Sequence, residues 1–186
     1  MNPIKLGIIA ATDNHSATPG AVKESDWNGS VSGEDTPLGR LGFGMLGLPL
    51  TTAIDSNPGG LAGVWASENT RDSIFDAMLR KEVFGTSGPR IKPRFFGGWR
   101  LDKNLCANPE MIAEAYKNAV PMGGDLAPNK ELNRVPKFLA HVVRDYESSK
   151  LQSLQLIKGW IDAEGNLNNK VISIEELPNG SDEMCV

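Results

Sequence analysis

The chain has 186 residues, 40% of them hydrophobic and 23% charged, the balance of an ordinary globular protein with room for one domain or two small ones. A net charge of -4, a pI near 5.2 and the lack of any Lys/Arg block argue against nucleic acid or an anionic membrane surface as partner. The longest apolar run is far short of a membrane span. Cys106 and Cys185 lie outside any C-x-x-C spacing, so neither a cysteine zinc site nor a disulfide framework is expected; they pair only if the fold brings them together. No signal peptide is legible in Met1-Asn-Pro-Ile-Lys5, and the compartment, cytoplasmic or periplasmic, is left open.

The first element is Leu6-Gly-Ile-Ile-Ala-Ala11, apolar on both faces, which predicts a strand buried on both sides as in parallel sheets. A polar cluster, Asp13-Asn-His15-Ser16, follows at once. In α/β sheets chemistry collects where such strands end, and residues two apart on extended backbone point to one side. A carboxylate and an imidazole so placed suit a metal ion or an acid–base pair. The competing structural reading is a turn aspartate capping backbone N–H groups, with His15 as its hydrogen-bonded neighbour.

From Ala17 to Pro58 the composition shifts to Gly, Ser, Pro, Asp and Asn, and residues 28–36 read as a surface loop. Residues 38–50 are apolar but broken by Gly39, Gly42, Gly44 and Gly47. The stretch lacks the Lys-Ser/Thr of a P-loop and the dinucleotide spacing, so apolar packing is the better reading.

Leu61 to Ala66 predict a short strand, and Asn69 or Thr70 can cap a helix whose inward face holds Ile74, Phe75, Met78 and Leu79. Val83 to Thr86 give a further strand. With the opening strand this suggests three neighbouring strands of an α/β layer. Arg90, after Gly-Thr-Ser-Gly-Pro, can clamp an anionic substrate through both guanidinium arms, or form a structural ion pair at a strand end.

Beyond Ile91 the texture turns antiparallel. Pro93 to Trp99 read as a strand entering a turn. Asn108-Pro109-Glu110 starts a helix running to about Asn118, with Met111, Ile112, Ala115 and Tyr116 inward. Asp125, in a Gly-Gly-Asp turn, is a turn residue or a cation ligand. Phe138 to Arg144 read as a strand carrying His141 on a sheet face. Ser153 to Ile161 and Lys170 to Ile174 form a hairpin around Asp162-Ala-Glu-Gly165. Trp65, Trp99 and Trp160 suit core packing, with stacking on a sugar or aromatic ligand as the alternative.

Several strings together resemble a known family: Gly7 to Ala21, Asn57 to Ala66, Glu68 to Met78, Gly85 to Trp99, Pro121 to Leu126 and Leu154 to Trp160. They look like a large bacterial family catalogued mainly as a domain of unknown function and related to the polymerase and histidinol phosphatase (PHP) superfamily. The resemblance implies a fold: the last strands and helix of a distorted (β/α) barrel over residues 1–92, then an appended antiparallel β-rich unit over 93–186. It implies a metal-dependent hydrolase, a phosphoesterase, whose late Asp-x-His motif is matched by Asp13 and His15 as metal ligands, with Ser16 orienting them. Two or three Mn, Zn or Fe ions would serve the complete centre, with Arg90 on an anionic small-molecule substrate. The superfamily's early His-x-His motif and middle Glu and His ligands have no counterpart here. The resemblance therefore implies a C-terminal part of a longer protein whose first barrel half carries the other ligands. The alternative function is a ligand-binding or interaction module in residues 93–175, with no catalysis by this chain.

Overall fold

A computed structural model describes residues 5–10, 60–129 and 135–186. The chain divides into two compact units, Met1–Lys92 with Pro121–Ala127, and Pro93–Val120 with Pro128–Val186.

In the first unit, strand β1 (Leu61–Val64) leads to helix α1 (Arg71–Leu79) and strand β2 (Val83–Thr86). The predicted cap is in place: Thr70 Oγ1 accepts the Ser73 amide at 3.3 Å. The helix ends in a reciprocal turn. The Lys81 amide donates to the Met78 carbonyl at 2.9 Å and the Glu82 amide to Ala77 at 3.0 Å, while Lys81 holds φ at 61°. This is the Schellman arrangement, normally built on glycine at the left-handed position. It reverses the chain, so β2 returns antiparallel to β1, with Leu61 opposite Thr86 and Val64 opposite Val83.

That pairing overturns the expected α/β architecture. Among the described residues there are two α-helices, of nine and eight residues, and the sheets with a given register are antiparallel; no (β/α) barrel closes. The physical reason lies in α1. A parallel crossover needs the helix to cover the sheet and deliver the chain to the starting edge, whereas this helix turns back on its own last carbonyls. The expected inward face of α1 is also corrected. Ala77 is fully buried, while Phe75, Met78 and Leu79 are exposed. The small face packs inward and the large apolar face points out.

The opening run differs from expectation as well. Residues 5–10 belong to no assigned strand, and Leu6, Ile8 and Ile9 are 75%, 77% and 58% exposed. A Cβ on Gly7 would meet Val83, and one on Gly85 would fall 2.2 Å from the Ala10 amide nitrogen. The run thus lies beside β2 and advances in the same direction, and Gly85 has no side chain because the Ala10 backbone occupies that space.

In the second unit, β3 (Lys92–Gly98), a 3-10 turn (Leu105–Ala107), α2 (Met111–Asn118), β4 (Val120–Pro121), β5 (Lys137–Val143), β6 (Leu151–Ile161), β7 (Leu167–Ser181) and β8 (Glu183–Cys185) follow. The strand at 138–144, the hairpin and the end of α2 at Asn118 agree with the sequence reading. One sheet runs β4-β3-β5-β8 and the β6–β7 hairpin forms another. The core joins Phe96, Leu101, Leu105, Met111, Ala115 and Leu139, with Ile112, Ala119 and Cys185 against it. Of the four residues predicted inward on α2, Tyr116 is 42% exposed, though its ring meets Phe96 edge-on at 5.0 Å. Asn108 does not cap the helix directly. It accepts the Glu110 amide at 2.9 Å, one residue before the first turn.

The fold does bring the two cysteines together: Cys106 and Cys185 form a disulfide with Cα atoms 5.7 Å apart. Spacing alone hid it, because 79 residues of chain separate the partners. Closing a loop of that length restricts the unfolded chain by about 4 kcal/mol.

The hairpin is held at its tip by Asp162. Its Oδ1 accepts the Asn166 amide at 2.7 Å, and Oδ2 accepts the Asn168 and Asn166 side-chain amides at 3.0 and 3.2 Å. The Asn166 backbone bond, then the Asn168 side chain, holds the carboxyl below the usual carboxylate range. A lowered folded value means the contribution is complete above the ordinary aspartate pKa and fades as pH falls through the folded one. The Asn166 amide should therefore lose hydrogen-exchange protection on acidification below that range, and Asp162→Ala should remove the acid dependence. Separately, Lys81→Gly should raise stability to chemical denaturation by about 0.5–1 kcal/mol, since it relieves a left-handed side chain without touching the two turn bonds.

Candidate functional site

Asp13, His15 and Ser16 lie outside the described residues, as does the Gly-rich stretch 38–50. What is described is the approach to them. The run 5–10 passes Val83 at Gly7 and Gly85 at Ala10, so its forward end lies at the forward end of β2. The loop that follows β2 begins with a local turn, in which the Gly88 amide donates to Thr86 Oγ1 at 3.2 Å. Gly88 takes φ of 138°, and Arg90 emerges exposed two residues later. Two residues lie between Ala10 and Asp13 in sequence, and four between Gly85 and Arg90. Run 5–10 and β2 thus advance side by side, and in sequence they precede the residues marked for metal and anion chemistry.

The opposite end of the run is pinned by charge. Lys5 is ion-paired to Asp125, which sits in the turn where the Gly124 amide donates to the Pro121 carbonyl at 3.1 Å. The Lys5 hydrogen bond holds the Asp125 carboxyl below its usual range. Gly123, at φ 84°, lets this turn lie against the Lys81 carbonyl, where a Cβ would come within 2.3 Å. Asp125 is therefore already neutralised by a lysine, and the cation it holds is an anchor for the chain.

The tryptophans divide. Trp65 packs on Phe84 with ring centroids 5.8 Å apart. Trp160 is 40% exposed and carries the Lys158 ammonium 5.1 Å from its ring centroid. His141 is on a sheet face as expected, but its Nε2 bonds Glu183 Oε1 at 2.6 Å and its buried Nδ1 has no partner.

A polar cleft of about 530 Å³ opens beside α2, lined by Arg100, Asp102, Asn104, Asn108, Glu110 and Glu114 among others. Sequence reading saw only a helix start here. The mixture of amides, carboxylates and one guanidinium could have been noticed, but nothing in the string says that the 3-10 turn folds these residues around one hollow. A second cleft, of about 280 Å³, is lined by Lys103, Cys106, Lys137 and Val186. Among the described residues, no three His, Cys, Asp or Glu side chains converge in a way that could hold a metal ion. No described helix is long and apolar enough to cross a membrane.

No curated protein and no solved structure matches the chain. One family model does, over residues 1–183, which is nearly the whole sequence, and its description is "Protein of unknown function (DUF3604)". The chain belongs to that DUF3604 family.

Proposed function

We propose that this chain contributes part of a metal-dependent hydrolase centre, related to the PHP superfamily and acting on phosphate esters, with Asp13 and His15 as two of the metal ligands. The observation that supports this reading is that run 5–10, which precedes Asp13 in sequence, and β2, which precedes Arg90, advance side by side in one direction. The donor set fits a divalent cation: a carboxylate and an imidazole suit Mn, Zn or Fe. Two ligands are fewer than the three or more that a catalytic metal takes from protein, so further ligands come from beyond this pair. When bound, such ions supply a more acidic water and neutralise charge on phosphoryl oxygens. The chain's own residues have narrower tasks. Asp13 and His15 would hold the ion, Ser16 would orient them, and the Arg90 guanidinium would donate to two substrate oxygens through its fork.

A second reading is favoured by the 530 Å³ cleft. Its amides and carboxylates offer both donors and acceptors to a polar ligand, which suits a binding module in residues 93–175.

Elemental analysis of the purified chain and of a longer family homologue separates the two. Asp13→Ala and His15→Ala should each lower metal content and phosphoesterase activity at least tenfold, in order of magnitude, as losing a metal ligand or its support does. Arg90→Ala should raise KM for the ester while metal content stays put. Undiminished metal in both ligand variants would overturn the metal reading. Ligand-induced NMR shifts confined to residues beyond 93 would favour the module.

A further inference from the structure

The ladder between β5 and β8 fixes what lies beside the disulfide. Ala140 and Val186 exchange both backbone hydrogen bonds, at 2.8 and 2.9 Å, and the Arg144 amide donates to the Asp182 carbonyl at 3.0 Å. Antiparallel pairs alternate in type, so His141–Cys185, the register pair between them, is a non-hydrogen-bonded pair. In such pairs the Cα atoms come closest and the two side chains stand side by side on one face. Val143–Glu183 is the next pair of the same type, which puts Glu183 diagonally across from His141 on that face. The carboxylate takes Nε2 at 2.6 Å. A carboxylate only accepts, so Nε2 carries a proton and Nδ1 is left as the working nitrogen.

Nδ1 is the puzzle. It is buried and has no hydrogen-bond partner, a condition that buried polar atoms seldom tolerate without cause. The register partner of His141 is Cys185, whose disulfide sulfur has no proton to offer. Opening the disulfide changes that, because Cys185 becomes a thiol or a thiolate, either of which can pair with the imidazole. The other sulfur faces outward. Cys106 is exposed while Cys185 is half-buried. Cys106 lines the 280 Å³ cleft with Asp102, Lys103 and Lys137, whose ammonium also donates to the Leu101 carbonyl. Cations thus outnumber the carboxylate two to one for an approaching thiolate.

We propose that Cys106–Cys185 is a thiol-exchange centre, in which a small anionic thiol enters the cleft and attacks Cys106, and His141, held by Glu183, receives Cys185 as the leaving group. The incoming thiolate forms an S–S bond to Cys106 Sγ while the Cys106–Cys185 bond breaks. Cys185 departs with the electron pair as a thiolate and takes up, through solvent, the proton that the incoming thiol gave up, becoming a thiol that can donate to His141 Nδ1. A second thiol then attacks the mixed disulfide at the incoming sulfur, which frees Cys106 as a thiolate and carries the oxidising equivalent away as a small-molecule disulfide. Exchange is fastest when the leaving sulfur is best stabilised, and that is the role assigned to His141. The inference is independent of the hydrolase reading.

Glutathione is the first probe, with iodoacetamide to trap the freed thiol, followed by peptide mass mapping of the unaltered protein. The expected product carries glutathione on Cys106 and the alkyl group on Cys185. Glutathione on Cys185, equal labelling of both, or no adduct overturns the proposal. Dithiothreitol is the second probe: His141→Gln should be reduced about fivefold more slowly than the unaltered protein, and Glu183→Gln should fall between them. A disulfide that is merely structural behaves in the opposite sense, since loosening β8 exposes it and speeds reduction. Equal or faster reduction of His141→Gln, with circular dichroism showing it folded, also overturns the proposal.

Discussion

The link between Cys106 and Cys185 closes the core of the second unit. One end is anchored in the 3-10 turn that carries Leu105, the other in the three-residue strand β8. Between them lie Phe96, Leu101, Met111, Ala115 and Leu139, and Cys185 itself packs against this group, 3.3 Å from Met111 Sδ. A strand as short as β8 has few ladder bonds to hold it, and strands of that length are marginal by themselves. While closed, the covalent tie holds it as the edge of the β4-β3-β5-β8 sheet. Arg144 adds to it, since its Nε donates to Asp182 at 2.6 Å and one terminal nitrogen donates to the Ser148 carbonyl at 2.9 Å.

The first unit relies on backbone geometry instead. A helix capped by Thr70 at one end and by its own carbonyls at the other sends β2 back along β1. Gly85 then admits the backbone of Ala10, and Lys5 and Asp125 fix the start of that run. Each of these is a local device. Together they set the direction in which the chain enters the Asp13 and His15 region.

Local patterns were legible in the sequence, and long-range closure was not. Thr70 as a cap, the end of α2 at Asn118 and the hairpin around Asp162 depend on neighbouring residues, so the string displays them. The α/β-layer expectation, which the resemblance extended to a barrel, failed because periodicity reports which residues are apolar, not which side another element covers. Leu6, Ile8 and Ile9, and likewise Phe75, Met78 and Leu79, are apolar at the expected spacing yet face outward. Lys81 concealed the reversal after α1, since glycine usually marks that position. His141 and Glu183 are 42 residues apart and the two cysteines 79, beyond the reach of any spacing rule.

The place of β8 carries one more consequence. Because β8 is the outermost strand next to β5, its departure would bare a full row of unpaired amides and carbonyls along β5. Such a row is a template for a strand from another molecule, and the detached segment Glu183 to Cys185 is the complementary piece. The staple thus keeps strand exchange within one chain.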